Sequence, residues 1–132
     1  MLRISVFALV VLLPSLAEAQ QAGCTPPLER MLRTELFFGR SVAGRRPVTD
    51  REWAQFLTHE LTPRFPGLTV LDGRGAWRHD GHEVREASKV VVIVLPDTPA
   101  ARGEIAAATE AYKHRFHQQS VGIVMQSVCA AF

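Results

Sequence analysis

The residues of this chain that could exchange protons in a reaction are two carboxylates and one amine, Glu35, Glu86 and Lys89. Burial or a nearby charge would shift their pKa values towards the range needed for general acid–base chemistry. No nucleophile with a base and an orienting group is visible, because Ser88 directly precedes Lys89 instead of standing three residues before it. The catalytic residues are therefore unknown from sequence, which leaves open whether the protein is an enzyme.

Two histidine pairs have spacings that could supply metal ligands, His79 with His82 and His114 with His117. A zinc site needs three or four protein ligands, and no third ligand is evident beside either pair. The glycines in residues 72–75 do not open a helix, so this stretch is not a phosphate-binding loop. We therefore predict no metal site and no cofactor.

The amino terminus has the pattern of an export signal. Arg3 precedes an apolar run over residues 4–13 that is too short to cross a bilayer. Ala17-Glu18-Ala19 then fits the small-x-small rule for cleavage. A periplasmic or secreted protein is expected. The predicted boundaries are a signal peptide over 1–19, an N-terminal extension over 20–30 and a single α+β domain over 31–132.

The two cysteines, Cys24 and Cys129, allow two different chemistries. In an oxidising compartment an even number of cysteines favours a disulfide. A disulfide that closes a loop of this size stabilises a protein by about 4–5 kcal/mol in the chain-entropy model. The alternative is a lipid anchor, since Gln21-Ala22-Gly23-Cys24 partly resembles a bacterial lipobox. The lipobox pattern requires an aliphatic residue at the position of Gln21, so we favour the disulfide.

Net charge and hydropathy restrict the partners. The formal net charge is +2, and no block of lysine and arginine follows a single element, which argues against nucleic acid. After removal of the signal, no apolar run is long enough to form a transmembrane segment. The remaining candidate partners are a small molecule, an envelope protein and a second copy in a homodimer.

The first half of the domain is predicted to form a strand and a helix. Residues 31–38 alternate as a half-buried strand does. Thr49 and Glu52 have the spacing of a capping box, which begins a helix that ends at Pro63. The residues at helical spacing in it are Trp53, Phe56, Leu57, Glu60 and Leu61.

The second half is predicted to form a hairpin, a helix and a final strand. The hairpin covers residues 67–95, and Asp80-Gly81 supplies its turn, because glycine takes the positive φ that tight hairpin turns need. A helix begins near Thr98-Pro99 and continues to about His117. Residues 121–128 form the last strand.

This order of elements predicts a ferredoxin-like βαββαβ plait, an α+β fold whose antiparallel-dominated four-stranded sheet carries two helices on one face. The last strand then lies antiparallel beside the first, which brings Cys129 close to Cys24.

Two helices leave the other face of the sheet open. Leu32, Leu36 and Phe38 suit the helix side, so Arg33 and Glu35 are expected on the open face. We expect the first and third strands to be parallel neighbours, which would let Glu35 meet Lys89. Trp77, beside the hairpin tip, could cap a pocket. The candidate pocket or interface residues are Arg33, Glu35, Trp77, Arg85, Glu86, Lys89 and Gln126.

Several segments resemble those of a bacterial family, domain-of-unknown-function family 3574. They are Arg33–Gly39, Glu52-Trp53 with Phe56, Thr62–Gly67, Thr69–Asp72, Gly75–Arg78 and Arg85–Val90. The resemblance covers essentially the whole exported chain and implies a small exported or lipid-attached protein. It implies no activity, substrate or catalytic residue.

Two hypotheses follow. The first is an exported binding domain of the envelope, for a ligand or a protein partner, that dimerises through the open face. The alternative is a small-molecule enzyme of the isomerase or cofactor-free oxygenase type, with its site on the open face of a dimer, an analogy at the level of the fold. A purely solvated open face is the third interpretation of the same polar residues.

Overall fold

The structure is a computed structural model that describes residues 23–42 and 44–132, without the side chain of His79. The predicted signal peptide lies outside the described residues. The elements are β1 (Glu29–Gly39), α1 (Asp50–Phe56) with a π-helical continuation (Leu57–Leu61), β2 (Thr69–His79), β3 (His82–Leu95), α2 (Pro99–Phe116) and β4 (Gly122–Ala130).

The four strands form one sheet in the order β2-β3-β1-β4, and every neighbouring pair is antiparallel. The predicted ferredoxin-like α+β plait is confirmed. The predicted parallel pairing of β1 with β3 is wrong. The helical crossover returns the chain so that β2 runs parallel to β1, and the tight hairpin then reverses β3. Glu35 consequently lies opposite Val92, and Lys89 lies opposite Phe38.

Local sequence signals place the helices where expected. The Thr49 hydroxyl accepts from the Glu52 backbone N–H at 3.2 Å, and the Glu52 carboxylate accepts from the Thr49 N–H at 2.9 Å, so the capping box is confirmed. Thr98 caps α2 by accepting from the Ala101 N–H at 3.1 Å. His117 ends α2 in the left-handed conformation.

The core lies between the helices and one face of the sheet. An aromatic cluster fills it, with ring centroids 4.7–6.2 Å apart in mostly edge-on arrangements. Its members are Phe38, Trp53, Phe56, Tyr112 and Phe116. The predicted helix side of β1 is confirmed, because Leu32, Leu36 and Phe38 are buried.

A disulfide joins Cys24 to Cys129, with their Cα atoms 5.5 Å apart. It ties the segment before β1 to the end of β4, since the register sets Cys129 opposite Arg30. A disulfide fits an oxidising compartment such as the periplasm. Within the ranges that the structure describes, no helix is long and apolar enough to cross a membrane.

Candidate functional site

The face of the sheet that carries no helix, here called the open face, is largely apolar. Four large side chains on it are 39–52% exposed, namely Phe37, Leu71, Trp77 and Val124. Half-buried Val90, Val92 and Val94 lie between them on β3. Large contiguous apolar patches are rare on the surface of monomeric soluble proteins and mark interaction sites.

The central charges of the open face neutralise each other. Two guanidinium nitrogens of Arg33 donate to one carboxylate oxygen of Glu35, at 3.1 and 2.7 Å. Gln126 lies opposite Arg33 on β4, and Val124 lies opposite Glu35. The pair is part-buried within β1, so it adds no net charge to the open face.

Glu86 also lies on the open face, but the chain's own backbone binds it. Its carboxylate accepts from the Ser41 N–H at 3.1 Å and lies directly over Gly39. A Cβ at Gly39 would overlap the Glu86 carboxylate, so glycine is required for this close approach. This contact orders the loop after β1, a role that the sequence did not reveal.

The hairpin extends beyond the rest of the sheet. β1 pairs with β3 from Ser88 to Leu95, whereas β2 pairs with β3 all the way to the turn. Asp80 and Gly81 both have positive φ, which confirms the predicted turn. Residues 74–87, here called the hairpin arm, are therefore two-stranded, with Trp77 on the open side.

The seven predicted pocket or interface residues lie on both faces of the sheet. Arg85 and Lys89 lie on the helix side, where Lys89 pairs with Asp72 and Arg85 pairs with Glu83. The predicted meeting of Glu35 with Lys89 is therefore wrong, because β-strand alternation sends their side chains to opposite faces.

The five predicted residues on the open face are also spread along it. Arg33 lies opposite Val94, eight residues along β3 from Glu86, which is about 26 Å at the rise of a strand. Trp77 is on the hairpin arm opposite Val84. Separation on this scale indicates a surface for a large partner more than a single compact pocket.

The histidine pairs give no metal centre among the described residues, where no group of three or more potential ligands exists. His114 and His117 are exposed on the last turn and cap of α2. His82 follows the hairpin turn and is also exposed.

A second surface, which the sequence analysis missed, lies on the helix side where the hairpin arm leaves the sheet. It is an open groove of roughly 780 Å³. Its lining residues are Arg40, Asp50, Asp72, Gly73, Arg74, Ala87, Ser88 and Lys89. Counting outward from the two-residue turn would have paired Asp72 with Lys89 and Arg74 with Ala87. That signal was available from sequence.

Ion pairs hold two cations of this groove, Arg40 and Lys89, whose side chains are only 17% and 13% exposed. Arg40 donates to the Val48 carbonyl oxygen at 2.8 Å and pairs with Asp50 at 2.9 Å. A hydrogen bond from Lys89 holds the pKa of the Asp72 carboxyl below its usual range, and the charge of Arg40 acts in the same direction.

Tyr112 is a buried member of the core that contacts the backbone next to Arg40. Its hydroxyl donates to the Gly39 carbonyl oxygen at 2.8 Å, and burial raises the pKa of the phenol. A phenol held neutral in this way is a structural hydrogen-bond donor and no acid–base group at neutral pH.

Comparison with known proteins gives a family and a fold. A family model described as a protein of unknown function, DUF3574, matches residues 33–132, so the chain belongs to that family. No curated protein matches the chain.

Solved structures share the fold at low identity. A phage SAM lyase in complex with S-methyl-5'-thioadenosine is 18% identical over 76% of this chain and 90% of that chain, with a TM-score of 0.59. The apo phage SAM lyase is 19% identical over the same shares, with a TM-score of 0.57. CutA from Synechococcus elongatus PCC7942 is 9% identical over 77% and 80%, with a TM-score of 0.52. At these identities the likeness shows the fold alone.

Proposed function

We propose that this member of DUF3574 is a small exported binding domain that self-associates through its open sheet face. The observation that carries the proposal is the exposure of Phe37, Leu71, Trp77 and Val124 on one continuous face. Complete burial of a large apolar side chain stabilises a protein by about 1.5–3 kcal/mol. Covering the exposed halves of these side chains in two copies would therefore contribute substantially to association.

A second copy is the occupant that the charges favour. Sheets pack face to face about 10 Å apart, and a two-fold axis brings the same patch together from both subunits. A face with net charge would then meet its own charge. Here Arg33 and Glu35 neutralise each other within one strand, so the centres of two like surfaces can meet without repulsion.

The hairpin arm also favours a second copy of the chain as the partner of the open face. A two-stranded ribbon is only marginally stable in water unless something packs on it. Trp77 and Val84 continue the apolar open face onto this arm, and Trp77 is 43% exposed. A partner sheet that covers the open face would also cover the arm.

Sedimentation velocity tests the proposal with two adjacent β4 residues. Val124 is 50% exposed on the open face, and Ile123 is 45% exposed on the opposite face. We expect the wild-type protein to sediment as a dimer, Val124→Glu as a monomer and Ile123→Glu as a dimer. A monomeric wild-type protein, or equal effects of the two variants, would contradict self-association through this face.

Export is the other part of the proposal, and the disulfide supports it. Mass spectrometry of the protein isolated from its own cell envelope without reductant reports cleavage and the state of Cys24 together. We expect cleavage after Ala19 and a closed bond to Cys129. A lipid on Cys24 with a free thiol at Cys129 would replace the disulfide with the anchored alternative.

The second candidate function is a small-molecule enzyme with its site on the open face. The observation in its favour is that an aromatic and a carboxylate side chain, Trp77 and Glu86, lie on the open side of the hairpin arm, on a fold shared with a phage SAM lyase bound to S-methyl-5'-thioadenosine. That nucleoside is therefore the first probe.

Tryptophan fluorescence makes the test specific, because Trp53 is buried and Trp77 is exposed. Saturable quenching by S-methyl-5'-thioadenosine that is lost in Trp77→Phe would support a site on the arm. A signal that stays flat, or one retained in Trp77→Phe, would remove the support for this second function.

A further inference from the structure

We propose that the groove on the helix side of the sheet is a binding site for a phosphate group. Three cations, Arg40, Arg74 and Lys89, come from three different chain segments and surround Ala87 at the base of the hairpin arm. This site is on the face opposite to the proposed self-association surface, so the two proposals succeed or fail independently.

The strand register creates the site. The Arg40 N–H donates to the Ala87 carbonyl oxygen at 3.0 Å, which continues the β1–β3 pairing by one step. Arg74 lies opposite Ala87 on the other side. Arg40, Ala87 and Arg74 are therefore side by side across the three chain segments. Cross-strand neighbours have Cβ atoms about 5 Å apart. The methyl group of Ala87 leaves space between two guanidinium groups.

Lys89 is the third cation of the site. It lies on the same face as Ala87, two residues along β3, and its ammonium reaches the groove beside Asp72. The lining carries three cations against two carboxylates, those of Asp50 and Asp72, so one positive charge is left over.

The carboxylates are weak competitors for an incoming anion. The side chains of Asp50 and Asp72 are 85% and 83% exposed, and an ion pair with an exposed partner contributes little. Arg40 and Lys89 are held in place and largely dehydrated, whereas the two carboxylates are exposed to water. Arg74 is exposed and has no ion-pair partner in the part of the chain that the structure describes.

The number of cations selects the class of ligand. A phosphate monoester presents three terminal oxygens, so each cation can bind one, and arginine forks match this geometry. A carboxylate has only two oxygens, so two of the three cations would have to share one of them. The ligand is therefore a phosphate group, on a soluble compound or on a lipid headgroup.

Amide chemical shifts in the full exported chain test the site directly, with inorganic phosphate as the probe and ionic strength held constant with sodium chloride. We expect saturable shifts at Arg40, Arg74 and Ala87. Arg74→Gln should weaken binding by about tenfold or more, since it removes a charged hydrogen bond. Because Arg74 is exposed, we expect this variant to keep the fold.

Arg78→Gln is the matched control, because Arg78 is exposed on the same strand and the same face, four residues nearer the tip. It should change the affinity by less than about twofold, since a distant exposed charge is screened. Equal weakening by the two variants, or shifts that never saturate, would overturn the site in favour of general attraction to a positive surface.

The phosphate affinity of Asp72→Asn is a further test, because a purely structural role of Asp72 would not make binding tighter in this variant. Removal of the competing carboxylate should tighten phosphate binding several-fold, and weaker binding would contradict the proposal.

Phosphatidylcholine vesicles with and without phosphatidic acid then identify whether the phosphate group belongs to a lipid or to a soluble compound. Cosedimentation that requires Arg74 assigns a lipid headgroup, whereas phosphate saturation without cosedimentation assigns a soluble phosphate compound.

Discussion

Phe37 and Phe38 are neighbours of the same residue type on β1, yet Phe38 is fully buried and Phe37 is 39% exposed. Phe38 contacts rings from both helices, including Trp53 at 5.4 Å and Tyr112 at 4.7 Å between ring centroids. Phe37 lies between Val90 and Gly122 on the neighbouring strands. The difference comes from the helices, which cover one face and leave the other to a partner.

The groove lined by charged side chains lies on the side of the sheet that already carries the helices. The helix side, which is already covered, holds Arg40 and Lys89 at its margin, whereas the central charges of the open face cancel in the pair of Arg33 with Glu35. A solvated surface would be expected to carry the charges, and a covered one the apolar residues. This reversal is why we assign the open face to a second copy and the helix-side groove to an anion.

The largest test of this comparison removes each phenylalanine in turn. Phe38→Ala should lower the free energy of unfolding by about 3–5 kcal/mol, because it leaves a cavity among the core aromatic rings. Phe37→Ala should lower the free energy of unfolding of the monomer by less than about 1 kcal/mol, since the Phe37 side chain is part-exposed. Urea unfolding at low protein concentration measures both.

The same pair also reports on self-association. With rising protein concentration, the stability of the wild-type protein should increase while that of Phe37→Ala increases less. Equal costs for the two variants at low concentration would show that both faces are packed within one chain, and the distinction between them would be lost.

A smaller effect concerns how α1 is held over the covered face. Arg46 forms two hydrogen bonds to the Glu52 carboxylate, at 2.9 and 2.8 Å, and with the capping box these lower the pKa of Glu52 to about 2. A carboxylate with a lowered pKa stabilises the fold above its unfolded pKa, and that stabilisation is lost as pH falls from about 4.5 to about 2.

Unfolding followed across this pH range in the wild type and in Glu52→Gln isolates the contribution. The variant should start less stable at neutral pH and lose less stability on acidification. Parallel pH profiles would mean that Glu52 does not couple the loop to the helix.

Local chemistry made much of the fold predictable. Thr49 with Glu52, Thr98 with Pro99, and Asp80-Gly81 each act on backbone groups within a few residues, so their elements appear where the sequence indicated. The cysteine pair was predictable from the predicted export signal and the topology together.

The candidate site was less predictable, because a side chain's neighbours depend on strand direction. Glu35 and Lys89 were expected to meet, and the antiparallel pairing of β1 with β3 places them on opposite faces. The Glu86 carboxylate over Gly39 also depends on that pairing.

By itself, the sequence determined which side chains of each strand share a face, because alternation is a property of the extended backbone. It also determined the β2–β3 register, which follows from a two-residue turn, and hence the pairing of Asp72 with Lys89. Only the tertiary structure decided that Arg40 lies beside Ala87 and Arg74, since the pairing of β1 with β3 joins segments nearly fifty residues apart and no local interaction fixes it.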